Sequence, residues 1–187
     1  MWLRRVQIAG ITLDITWRSF CLEQVNNKEG PEWKAWERPL EETRGVLALR
    51  AGKAAVRQGT ELFESFHMAL LKARHEAAAQ ISDRGVLVKV AQETGLDLDT
   101  FERNLDDSVM ASEVGSDHEA AREKGIFGTP TFVFPGGGTA YLKMLLLPDG
   151  ADVLGLFRSL ENIVEGNPFV GEIKRPQPPW PKNLLTS

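Results

Sequence analysis

Apolar positions recur along this chain with two different periods, and the change from one to the other marks out its elements. Trp2, Leu3, Val6 and Ala9 stand at helical spacing with Arg4, Arg5 and Gln7 between them, and Gly10 stops the segment. Ile11, Leu13, Ile15 and Trp17 then alternate with Thr12, Asp14, Thr16 and Arg18, the period of a strand with one buried face. Helix, glycine turn and strand make up the second half of a βαβ unit. From Glu23 to Arg38 no period is sustained, and Gly30-Pro31 and Pro39 mark a loop anchored by Trp33 and Trp36.

Beyond that loop the helical period takes over. Residues 41–58 are rich in Ala, Leu and Arg and end at Gly59. Thr60 follows as an expected N-cap, with Phe63, Phe66, Leu70 and Ala73 on one face. A further helix is predicted from about Asp83 to Gly95, with Val86, Val90 and Ala91 inward, and a short one around Phe101 and Leu105 capped by Asp97 or Asp99. The run 108–124 is expected to expose Glu113, Asp117, Glu119, Arg122 and Glu123. The pattern is that of a helical bundle inserted into a sheet domain.

Gly125 to Phe134 reads G-I-F-G-T-P-T-F-V-F. A proline directly ahead of a β-branched and aromatic run cannot donate to a ladder, so Pro130 belongs at the entry of a buried strand, Thr131–Phe134. Gly128 supplies an unusual backbone angle just before it. Pro135 and three glycines then form a turn, and Ala140 to Leu147 is an apolar run able to pair back as a hairpin. Asp152 to Glu165 is the last helix, and Arg175-Pro-Gln-Pro-Pro-Trp-Pro is extended chain expected to strap its own domain.

The Gly125–Phe134 stretch resembles the cis-proline loop of DsbA-like thioredoxin-fold proteins, the group that includes 2-hydroxychromene-2-carboxylate isomerases and kappa-class glutathione transferases. Ile15-Thr-Trp-Arg-Ser-Phe is similar to that family's second strand, with Ser19 where the family prefers proline, and the helical insert and the closing Glu172-Ile-Lys-Arg-Pro fit the same pattern. The resemblance implies an α/β thioredoxin-like fold with an inserted helical bundle. Residues 1–38 and 106–171 would form the discontinuous thioredoxin-like domain, 39–105 the insert, and 172–187 the strap. It implies a cis Thr129–Pro130 bond and a substrate loop made of Gly128, Thr129, Pro130 and Thr131. It also implies a first strand and a nucleophile end of the first helix, with a Cys-containing motif, upstream of Met1, and a missing strand lying between Thr12–Ser19 and Thr131–Phe134.

Composition narrows the classes. At 187 residues and 42% hydrophobic content the chain can bury a core, and a net charge of −4 supplies no basic field for nucleic acid or an anionic membrane surface. No apolar run approaches the ~18 residues of a membrane span, and Gln7, Gly10 and Thr12 interrupt what would have to be a signal peptide's apolar core. The cytoplasm is the expected compartment. One cysteine, Cys21, excludes an internal disulfide.

Thioredoxin-type chemistry needs a thiolate at a helix N-terminus. Cys21 follows the expected strand instead, which leaves it as a small residue ending that strand or, as the family topology implies, as an accessory thiol on the same sheet edge as Pro130 with the missing strand between them. Arg18 has two roles open, an anionic ligand such as glutathione or a surface ion pair. His67 and His75 lie eight residues apart with no completing ligand, so no metal site is expected, and His118 reads as part of a solvated face.

Three functions follow from the resemblance: a DsbA-like thiol-disulfide oxidoreductase, a non-redox thioredoxin-like binding module, and a glutathione-dependent isomerase or transferase. The expected partner is a thiol or disulfide substrate, a peptide or a small thiol, with glutathione or another small thiol as a loosely held co-substrate. Monomer and homodimer both remain open. Because one cysteine cannot both attack and resolve, this chain alone is expected to be inactive in dithiol exchange.

Overall fold

The computed structural model describes residues 1–30 and 32–174. They pack as two units, one formed by Met1–Thr16 with the chain from Gly128 onward, the other by Trp17–Phe127. The proline-rich segment from Arg175 lies outside the described residues. Of the expected strap, Glu172, Ile173 and Lys174 are described and exposed. Among the described residues no helix is long and apolar enough to cross a membrane.

The first unit is built on a helix, a hairpin and a second helix. Helix α1 (Trp2–Ile8) carries Trp2 and Val6 on its buried face and stops where Gly10 takes a φ of 101°. Strands β1 (Thr131–Val133) and β2 (Thr139–Tyr141) pair antiparallel, with Phe132 opposite Ala140. Gly137, at φ 92°, turns the chain between them, and the Phe134 N–H closes the hairpin on the Gly138 carbonyl at 2.8 Å. Helix α8 (Asp152–Gly166) buries Val153 and Phe157 against α1. Trp2 ties the group together: its ring meets Phe132 edge-on at 5.9 Å, and its Nε1 donates to the Val153 carbonyl at 3.3 Å. Glu165 of α8 accepts from the Gly136 and Gly138 N–H groups at 2.8 and 2.9 Å, which pins the turn to the helix.

Residues 11–20 correct one expectation. Ile11, Leu13 and Ile15 are half-buried while Thr12, Asp14 and Thr16 are exposed, and Ile11 and Leu13 join the core of this unit. The alternation is present, yet no ladder forms, so the expected strand Thr12–Ser19 is an extended segment. Period two reports which side chains are buried; a strand also needs a neighbour's N–H and C=O groups, and none lies beside this segment among the described residues. β1 departs from expectation too, being an edge strand with Val133 half exposed instead of a buried one.

The second unit is helical. Its elements are α2 (Leu22–Asn26), two single turns of 3₁₀-helix (Ala35–Glu37 and Leu40–Glu42), α3 (Val46–Val56), α4 (Thr60–His75), α5 (Arg84–Glu93), α6 (Leu98–Asp106) and α7 (Ser108–Glu123). α3 is the hub: Ala48, Ala51, Ala54 and Ala55 are buried, and such small side chains let α4, α6 and α7 close on it. Phe66, Leu87, Phe101 and Leu105 fill the centre. Packing thus groups residues 17–38 and 106–127 with those of 39–105. Asp83, Asp97 and Asp107 cap α5, α6 and α7 through their carboxylates, whereas the N-cap of α4 is Gly59 at φ 107° and Thr60 is the first helical residue.

Candidate functional site

The loop of the first unit is shaped from its own backbone. Thr131 Oγ1 donates to the Gly128 carbonyl at 2.7 Å, and the Pro130 carbonyl accepts from Leu142 N–H at 3.2 Å. Thr129 and Pro130 are exposed, and the bond between them is cis. Gly128 is buried, and its φ is not in the left-handed region; a Cβ there would come within 3.3 Å of the Tyr141 ring. Close approach, and not an unusual angle, is what this position asks of glycine.

Strand parity fixes which backbone groups of β1 remain available. Pro130, Phe132 and Phe134 direct theirs to β2, as the Leu142-to-Pro130 and Phe134-to-Gly138 bonds show. In an antiparallel pair the intervening residues direct theirs the opposite way. Thr131 and Val133 therefore turn their N–H and C=O groups to the outer edge, where no strand pairs with them among the described residues.

In the helical unit the segment 18–21 is held by side chains. Ser19 N–H donates to Asp117 Oδ2 at 2.7 Å, and Cys21 N–H donates to His118 Nδ1 at 3.2 Å. Asp117 is 6% exposed and also takes Lys53 Nζ at 2.5 Å and Arg18 Nη1 at 3.2 Å. Arg18 thus finds its anion within the chain. Alternate N–H groups of an extended segment, which a neighbouring strand would ordinarily satisfy, are met here by consecutive polar residues of α7.

Both α7 residues were read from sequence as solvated, and both are buried. The signal was present: Met110, Val114, His118 and Ala121 continue one helical stripe. His118 is fully buried against the Phe20 and Trp36 rings, with centroids 4.8 and 5.3 Å away. Burial depresses its pKa. As Nδ1 accepts the Cys21 N–H, the neutral ring carries its proton on Nε2, and that atom has no partner among the described residues.

Cys21 opens α2 as its N-cap instead of ending a strand, which corrects the sequence reading. It is not thereby activated. α2 has five residues, Cys21 is 1% exposed, and burial pushes its thiol up from the ordinary value, which disfavours the thiolate. His67 is likewise apolar in its setting, stacked on Phe63 and packed against a tilted Trp17 ring, with its pKa lowered to about 4 by burial. Among the described residues no group of three or more His, Cys, Asp or Glu side chains could hold a metal ion.

Comparison with known proteins bears on this geometry in two ways. A family model described as DSBA-like thioredoxin domain matches residues 13–154. Among curated proteins, the chain is 25% identical over 118 residues to the ClpXP adapter protein SpxH of Bacillus subtilis (strain 168), an alignment covering 63% of this chain and 39% of that protein. The chain therefore spans well under half the length of the curated relative it matches.

Proposed function

The chain belongs to the DSBA-like thioredoxin domain family, and from that premise we propose that it works as a thioredoxin-like binding module, taking an extended peptide along the outer edge of β1. The observation that carries this reading is the row of outward backbone groups on Thr131 and Val133, directly after the exposed Thr129 and Pro130. An extended peptide added there gains main-chain hydrogen bonds without disturbing the β1–β2 ladder, and pockets for alternate side chains set its specificity. An adapter role, as in the printed name of the Bacillus relative, is also a binding role.

The test is titration of ¹⁵N-labelled protein with extended peptides. Amide shifts should concentrate at Thr131 and Val133, and N-methylation of alternate peptide amides should abolish binding while methylation of the others leaves it intact. Binding indifferent to N-methylation, or shifts that spare 129–133, would overturn the reading.

Family membership favours a second reading, a thiol-disulfide oxidoreductase. Within these 187 residues the single thiol is buried and protonated, so a dithiol cycle cannot run on them alone. A redox role requires a reacting thiol from a peptide partner, glutathione or another small thiol, held at Gly128, Thr129, Pro130 and Thr131. Insulin reduction in the presence and absence of glutathione separates the readings: turnover that needs glutathione and survives Cys21→Ser favours the oxidoreductase.

A further inference from the structure

A second site lies wholly within the helical unit. A cavity of about 440 Å³ is lined by Val25, Ile126 and Phe127 as its apolar walls and by His118, Arg122 and two carboxamides. That volume falls in the roughly 300–1,000 Å³ range of small-molecule pockets. Val25 and Phe127 are 45% and 66% exposed.

The polar groups around it sort by what they can still do. Gln24 has its oxygen engaged: Oε1 accepts from Ala35 N–H, while Nε2 gives one of its two N–H groups to the Trp33 carbonyl. Asn27 is alike, Oδ1 accepting from the Glu29 and Gly30 N–H groups and Nδ2 giving one N–H to the Gln24 carbonyl. The side-chain acceptors of the lining are thus taken, and beside the carboxamide N–H groups two further donors stand out. One is the Nε2–H of the fully buried His118, which has no partner among the described residues. The other is the Arg122 guanidinium, of which one nitrogen, Nη1, reaches Glu119 at 3.1 Å. No carboxylate is among the lining residues, so Arg122 is their one charge.

We propose that this cavity binds a carboxylate carried on a compact apolar body, with the acid group on Arg122 and His118 Nε2–H and the apolar part between Val25, Ile126 and Phe127. A lining whose side-chain acceptors are engaged favours an anion, and the guanidinium nitrogens of Arg122 other than the one on Glu119 suit a carboxylate. The source is either a free small acid or the C-terminal residue of a peptide, which share this chemistry. The lining shares no residue with the β1 edge, so peptide binding at that edge and acid binding here are read out independently, and either can fail while the other persists.

The experiment is calorimetric titration of the full chain with N-acetyl-leucine, N-acetyl-leucinamide and the tripeptide Ala-Ala-Leu, alongside the ¹⁵N signal of the His118 ring. The acid should bind saturably and shift the His118 Nε2 resonance, and the amide should bind about tenfold more weakly. Arg122→Gln, at a half-exposed position, should weaken the acid by about tenfold with the fold unchanged. Tighter binding of Ala-Ala-Leu assigns the site to a peptide terminus, and tighter binding of N-acetyl-leucine to a free acid. Acid and amide binding alike, an unmoved His118 resonance, an unaffected Arg122→Gln variant or no saturable binding would each overturn the proposal.

Discussion

Asp117→Ala should be among the most damaging single changes in the helical unit, and the geometry says by how much. The carboxylate is 6% exposed and receives the Ser19 N–H, Lys53 and Arg18. Its two cations differ: the Lys53 side chain is 15% exposed, that of Arg18 69%. Removing the carboxylate strands a nearly buried ammonium and an extended-segment N–H, a loss of about 3–5 kcal/mol. The Arg18 bond faces solvent, and truncating Arg18 should cost about 0–1 kcal/mol. With a urea slope near 2 kcal/mol/M, Asp117→Ala should lower the unfolding midpoint by about 2 M, read from Trp33 and Trp36 fluorescence. Adding Lys53→Met to Asp117→Leu should recover most of the loss, because the unpaired charge goes with it. An Asp117→Ala cost below about 1 kcal/mol, or an Arg18→Ala cost equal to that of Lys53→Ala, would refute the reasoning.

Other consequences can be checked separately. Gly115→Ala places a Cβ 2.6 Å from Trp36 Cε2, and the half-buried indole must shift from its packing on the His118 ring to make room, so urea titration should show a loss of about 1–3 kcal/mol. Gly138→Ala meets the Val164 carbonyl at 2.7 Å, and the loosened hairpin should show as faster amide exchange at Phe132 and Ala140. His67 stays neutral in the folded unit down to about pH 4, while the unfolded chain protonates it near 6.5. Its contribution is therefore intact above about pH 6.5 and is lost as pH falls toward 4, up to about 3 kcal/mol, and His67→Phe should flatten that part of the stability–pH curve. Cys21 should resist iodoacetamide in native buffer and react only on unfolding.

The helices were legible because each combines a stripe with a stop. Gly10, Gly59, Gly95 and Gly125 take positive φ where the periodic runs end, and the Asp97 cap is a local hydrogen bond that sequence spacing specifies. The hairpin was legible from its turn, Phe134 closing on Gly138. What failed was long-range. Ladder formation at 11–20 depends on a neighbouring strand that no local pattern encodes, and polarity alone hid Asp117 and His118 because their partners stand 97 to 99 residues away. For the loop, sequence placed Pro130 at the strand entry but could not say which edge of β1 would be open.

The two misread residues explain each other and account for how the segment entering the helical unit is held. Extended backbone exposes its donors at every second residue, here Ser19 and Cys21, and burial leaves such donors costly unless met. A strand would meet them with carbonyls; α7 meets them with Asp117 and His118, adjacent on one helix and reaching donors two residues apart. That solution imposes chemical consequences on both ends. Asp117 must be balanced, which Lys53 from α3 does, and His118 must present Nδ1 as an acceptor, which directs its proton to Nε2. The unsatisfied donor beside the cavity thus follows from how Cys21 N–H is satisfied, and Cys21 itself is fixed by its backbone, with its thiol buried and protonated. In this chain Cys21 and His118 anchor a segment through a backbone donor and a ring acceptor, and the two binding surfaces proposed above, the β1 edge and the cavity lined by His118 and Arg122, make no use of the thiol.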